Sequence, residues 1–132
     1  MLIIETYLDK SPLHGIGLFA GEDVPKGTIM WVFNPQMDSV IRKDEMGDAP
    51  EHVRAFLEKY AWTDNDGHWR IGIDNDKFIN HSDTPNSGEL QGSFVWIALH
   101  DIKKGDEITE DYSTFSTSET VQCGLTFDKW PG

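Results

Sequence analysis

Apolar residues fall in short runs broken by glycine, proline, asparagine and aspartate, a spacing that predicts strands and turns over long helices. Ile3-Ile4-Glu5-Thr6-Tyr7-Leu8 alternates loosely and predicts an opening strand. Residues 11–20 predict a loop feeding a short apolar strand, and Val24-Pro25-Lys26-Gly27 a turn. Residues 28–33 predict a buried strand closed by Asn34-Pro35, whereas 36–47 are polar and mixed, with no period. Helical spacing is convincing only from Pro50 to Ala61. There Asp48 is the expected N-cap, and Val53, Phe56, Leu57, Tyr60 and Ala61 fall on one face. A hairpin should follow, with Trp62-Thr63 and residues 69–74 flanking a turn at 64–67. Residues 95–99 predict a later strand and 101–106 another turn. In an extended segment at 107–112, Ile108, Glu110 and Tyr112 would share one face. One helix among about seven short strands indicates a mainly β, β-rich α+β domain.

At 132 residues there is room for one domain, long enough to bury a core without staples. Five Trp, seven Phe and three Tyr supply large rigid surfaces that must pack on something. No apolar run approaches the roughly 20 residues of a membrane helix, and Met1-Leu2-Ile3-Ile4-Glu5 is too short and acidic for a signal peptide. The single cysteine, Cys123, forbids an internal disulfide, so an intracellular, cytoplasmic setting is expected. The formal net charge of -12 repels phosphate backbones, so neither nucleic-acid nor membrane binding is expected. It favours a cationic partner such as a lysine-rich segment.

Three stretches could carry chemistry. In His14-Gly15-Ile16-Gly17, two glycines a residue apart let a backbone approach a ligand, but a dinucleotide fold would need a third glycine and a following helix. Phe78-Ile79-Asn80-His81-Ser82-Asp83-Thr84-Pro85-Asn86 concentrates polar groups that either satisfy their own backbone or face a polar ligand. The third is Gly105-Asp106-Glu107-Ile108-Thr109-Glu110-Asp111-Tyr112, where a strand-ending tyrosine is either a core aromatic or a functional hydroxyl. The five histidines (14, 52, 68, 81 and 100) lack metal-ligand spacing, so no metal centre is expected.

Taken in order, these stretches resemble the motifs of SET-domain protein lysine methyltransferases. Gly15-Ile16-Gly17-Leu18-Phe19-Ala20 resembles the opening G-x-G, residues 77–86 resemble R-F-I-N-H-S-C-x-P-N, and residues 98–112 resemble A-x-x-D-I-x-x-G-E-E-L-T-x-D-Y. The resemblance runs from about residue 7 to residue 112 and is closest to minimal stand-alone bacterial and viral forms. It implies a single SET domain over 1–132, with a motif-bearing core at about 7–112, an insert at about 36–70 and a closing segment at 113–132. It also implies several small twisted sheets and a C-terminal pseudoknot, a threading that ordinary chain-path rules would not propose.

The implied cofactor is S-adenosyl-L-methionine, lying against His14, Gly15, Ile16 and Gly17, with Asn80 and His81 at its ends and Tyr60 in the same pocket. Phe127 or Trp130 would cover the adenine. The target lysine would enter by a channel lined by Glu110 and Trp62 and ending at the catalytic Tyr112. The implied partner is a lysine-containing basic protein or peptide, histone-like in character, with monomer and homodimer both open. Two departures stand out: Asp83 replaces the family's cysteine, and Glu110 stands where Tyr or Phe is common. A carboxylate at 110 would pair with the incoming ammonium, raise its pKa and bear on how many methyls are added. Two alternatives stay open, a non-catalytic module that binds a basic peptide or the cofactor, and a methyltransferase acting on histidine or a small amine.

Overall fold

The computed structural model describes residues 1–114 except 65, 91, 92 and 94. Short strands dictate small sheets, and four form. Strands β1 (Thr6–Lys10) and β2 (Ile16–Ala20) make an antiparallel hairpin. Strands β3 (Ile29–Val32), β8 (Ser87–Glu89) and β9 (Val95–Ala98) make an antiparallel sheet with β9 in the middle. A second three-stranded sheet centres β6 (Trp69–Gly72) between β4 (Asp38–Ile41) and β5 (Trp62–Thr63). The last sheet is a two-residue parallel pair, β7 (Asn80–His81) against β10 (Thr109–Glu110). With helix α1 (Glu51–Tyr60), this is the β-rich architecture of small sheets and one helix expected.

That parallel pair closes the fold. Ile108 N–H donates to the Leu18 carbonyl (2.8 Å) and Ala20 N–H to the Asp106 carbonyl (2.9 Å), which seats the segment on β2. On its other side Asn86 donates to the Glu107 carbonyl (2.8 Å) and accepts from the Thr109 N–H (2.9 Å). The Ser87 hydroxyl bonds the Thr109 carbonyl at 2.9 Å. Held from both sides, Ile108 is fully buried in a core of Leu18, Ala20, Val24, Met30, Ile79, Ala98 and Ile102. A second cluster, Met46, Leu57, Ala61 and Trp69, packs Ile41, Val53 and Ile71 and is built wholly within residues 41–71.

Several elements differ from the sequence expectation. Pro50, not Asp48, is the N-cap of α1, and no side chain caps the helix. Phe56 is 48% exposed while Leu57 is 4%, so the buried face is narrower than the pattern suggests, and Phe56 instead lies 5.1 Å from the Tyr60 ring. Residues 38–41, read as featureless, form β4 because β6 offers them a ladder. The opening strand starts later and lies mostly exposed at Thr6–Lys10. The 107–112 segment is extended only in part, since Tyr112 begins a 3-10 turn.

Because Asn86 satisfies two backbone groups of the closing segment, Asn86→Ala should leave both unpaired. We expect a loss of about 2–4 kcal/mol, read as a lower denaturant midpoint at unchanged slope.

Candidate active site

The His14-Gly15-Ile16-Gly17 loop is held by residues far away in sequence. Asn80 Nδ2 donates to the His14 carbonyl (2.9 Å), the Ile16 carbonyl (3.3 Å) and Glu107 Oε1 (2.9 Å). The Ser11 hydroxyl donates to the same carboxylate at 2.8 Å and itself receives the Leu13 and His14 N–H groups. Gly15 adopts φ +48, a conformation that favours glycine, and a Cβ placed there meets nothing within 4 Å. Gly17 is different. A Cβ there would stand 2.2 Å from Glu107 Oε1, so the room left by this glycine is occupied by the protein's own carboxylate.

Tyr112 is fixed at both ends by the next strand residues. Its hydroxyl donates to the Ile79 carbonyl at 2.5 Å, and its backbone N–H donates to His81 Nδ1 at 3.2 Å. With Nδ1 accepting, neutral His81 carries its hydrogen on Nε2, which faces Asp83 Oδ1 at 2.9 Å. Asp83, standing where the SET motif has cysteine, thus orients the histidine that holds Tyr112. Successive residues of this stretch serve different ends: Asn80 grips the glycine loop while Ile79 and His81 grip Tyr112.

Tyr112 also lines an open-mouthed cavity that, counted with the open space at its mouth, measures about 570 Å³. Its aromatic walls are Trp31, Tyr60, Trp62 and Trp96, with Ile79, Gly72, Asp76, Lys77 and Glu110 completing the lining. Trp96 packs on Trp31 at 5.4 Å and on Trp62 at 6.1 Å between ring centres. Trp62 is propped from behind by Arg70, whose guanidinium lies 5.8 Å from its ring centre and is anchored to buried Asp64 at 2.8 Å.

The cavity's acids are perturbed. Burial first, and the Asp76 charge second, push the Glu110 carboxyl up to about 8. Burial, followed by the Asp74 charge, pushes Asp76 up to about 7. Burial and the Glu110 and Glu107 charges hold the Tyr112 phenol well above its usual range, so it stays protonated.

The structure brings Tyr112, Glu110, Trp62 and Tyr60 together on the cavity, and gathers His14, Gly15, Ile16, Gly17 and Asn80 at the loop. Tyr60, expected in the cofactor pocket, stands among the cavity walls, since the helix it ends runs directly into β5. His81 turns its ring nitrogens to Tyr112 and Asp83. Phe127 and Trp130 lie outside the described residues. Sequence reasoning passed over Glu107 and Ser11, although Glu107 sits inside a quoted motif, and it passed over Asp76, Trp31 and Trp96, for which no local pattern exists.

The SET domain family model matches residues 15–113. The chain is 27% identical over 124 residues to Histone-lysine N-methyltransferase 2D of Homo sapiens, covering 80% of this chain, and equally to that of Mus musculus. It spans only 2% of the length of these curated relatives. Among solved structures it is similar to Chaetomium thermophilum Polycomb Repressive Complex 2, with 26% identity and a TM-score of 0.68 over 90% of this chain and 17% of that one. An autoinhibited form of that complex bound to S-adenosylmethionine aligns with a TM-score of 0.65 at 22% identity, over 90% of this chain and 16% of that one, a likeness of fold alone. With the family model covering most of its length, the chain belongs to the SET domain family.

Proposed function

We propose that this protein transfers a methyl group from S-adenosylmethionine to the side-chain amine of a lysine in a basic protein or peptide. One observation carries the reading: residues 79–81 join an acceptor-rich glycine loop to an aromatic cavity and hold Tyr112 facing that cavity.

The loop fits the cofactor's charges. The His14 and Ile16 carbonyls and the Glu107 carboxylate, gathered around Asn80 Nδ2, are acceptors whose remaining lone pairs suit an ammonium and a sulfonium, and the space over Gly15 is open. His14, Gly15, Ile16, Asn80 and Glu107 would hold S-adenosylmethionine, which supplies an electrophilic methyl when bound. No metal is called for by this chemistry; positioning and charge placement supply the rate.

The nucleophile must be a neutral amine, and for an ordinary lysine at pH 7 that form lies about 4.6 kcal/mol uphill in water. Walls of Trp31, Tyr60, Trp62 and Trp96 exclude water and so disfavour the ammonium, while their ring faces still accept the cation as it enters. With the Tyr112 hydroxyl hydrogen donated to the Ile79 carbonyl, its oxygen would meet the amine as an acceptor and orient it. The phenol acts as a fixed dipole, since it does not ionise near neutrality. The net charge of -12 supports a lysine-rich substrate, drawn from a distance. Incubation with labelled cofactor and a panel of basic proteins, read by mass spectrometry, tests the reading; a folded sample that labels no lysine argues against it.

Two variants probe the two halves of the site. Tyr112→Phe keeps the ring and removes the hydroxyl, so kcat should fall by roughly 10²-fold while S-adenosylhomocysteine affinity, measured by calorimetry, stays within about twofold. Gly17→Ala already suffices to displace Glu107 from Asn80 and Ser11, so it should weaken S-adenosylhomocysteine by about tenfold or more. Unchanged calorimetric affinity there would detach Glu107 from the cofactor.

A further inference from the structure

The cavity holds two carboxyl groups that the mechanism above does not use. Glu110 and Asp76 line it together with Tyr112. Neither has an ion-pair partner among the described residues, and the buried Asp76 Oδ1 meets no N–H or hydroxyl donor, its polar neighbour being the Asp74 carboxyl. The cavity's own lysine does not neutralise them: Lys77 Nζ donates to the Asp74 carbonyl (2.7 Å) and lies over the Phe78 ring. Asp76 is seated against Gly72, where a Cβ would stand 2.7 Å from both its oxygens, so the backbone is shaped to admit this carboxylate. Two acids without a cationic partner in an aromatic cavity are a poor arrangement for stability and a good one for receiving a cation and its proton.

We infer that Glu110 and Asp76 form a proton-accepting pair that deprotonates the substrate ammonium inside the cavity, a reading that rests on the lysine methyltransferase assignment above. The step is a simple transfer: the ammonium N–H bond breaks, its electron pair stays on nitrogen as the lone pair of the neutral amine, and the proton bonds a carboxylate oxygen. Glu110, beside Tyr112 in sequence and in the lining, is the catalytic acceptor, and Asp76 behind it spreads the charge. The proton then leaves to water through the open mouth.

Ordinary carboxylates are too weak for this task, lying roughly six pK units below a lysine. Burial, followed by the Asp76 charge, narrows that gap to about two and a half for Glu110. The titratable and charged groups facing the pair are Tyr112, which is neutral, and Lys77 on the cavity wall, and Asp74, Asp38 and the Met1 ammonium around Asp76. The sequence alone led to the opposite expectation, a carboxylate at 110 that hinders deprotonation, because nothing local placed Asp76 against it.

Methyl transfer to poly-L-lysine across pH 6–10 tests this, with S-adenosylhomocysteine calorimetry and carboxyl ¹³C NMR titration on the same proteins. Glu110→Gln should lower kcat at pH 7.5 by about 10²-fold, with the deficit shrinking toward pH 10 as solvent deprotonates the amine, while S-adenosylhomocysteine still binds. Asp76→Asn should displace the acid limb of the profile to lower pH, because removing its charge eases ionisation of Glu110. Profiles identical to wild type in both variants overturn the inference. Stability supplies a readout free of turnover. Both folded-state pKa values lie above those of the unfolded chain, so the native state gains stability at low pH and loses it as pH rises through about 7 and 8. Wild-type Tm should therefore fall from pH 5 to pH 9, and less steeply in Glu110→Gln. If wild type binds S-adenosylhomocysteine but leaves poly-L-lysine unmodified, the NMR titration decides: carboxyls at 76 and 110 that ionise in the ordinary range near pH 4–5 overturn the pair. Failure of folded wild type to bind S-adenosylhomocysteine instead sinks the methyltransferase reading, and the inference with it.

Discussion

The site depends on a short run of chain, residues 106–112, being held between β2 and the loop that follows β7. This segment pairs with β7 over only two residues, far too little for independent stability. What secures it is the side-chain amide of Asn86, which stands in for missing ladder bonds, together with the full burial of Ile108. Asn80 performs the matching service for the glycine loop. Two asparagines six residues apart thus tie three remote stretches together, and each grip satisfies backbone groups that would otherwise be buried unpaired.

That arrangement explains why Tyr112 is positioned so firmly on so little regular structure. Its hydroxyl and its amide are each committed to a partner from residues 79–81, and the histidine that receives the amide is itself oriented by Asp83. A phenol whose ionisation is suppressed by burial and by neighbouring carboxylates keeps one role over the physiological range, a neutral dipole aimed at whatever fills the cavity.

The cavity itself combines opposed properties. Three tryptophans and two tyrosines make its walls largely apolar, which disfavours charge, while Glu110 and Asp76 place carboxyl groups among them. Under the proposed reaction, neither feature alone suits an amine that must enter charged and react neutral. The raised Glu110 and Asp76 values follow from that opposition, burial being the first cause of each. The net charge of -12 extends a preference for cations to the surface as a whole.

Much of this protein was legible before any fold was known. Hairpin and turn positions, the helix near 51–60, and the three ordered motifs at 15–20, 77–86 and 98–112 are local signals, set by backbone preference and by residue types that keep their spacing. Motif order alone was enough to bring Asn80, Tyr112 and the paired glycines into one reading. What lay beyond sequence was everything that depends on which remote groups meet. Strand β4 exists because β6 supplies its partner, and Phe56 is exposed because the second core closes around Leu57 instead. Gly17 makes room for Glu107, and Asp76 comes to face Glu110, through contacts whose members are separated by dozens of residues. No periodicity encodes such pairs. Their geometry and their pKa values arise only when folding removes water from between them, and that is decided by the tertiary structure alone.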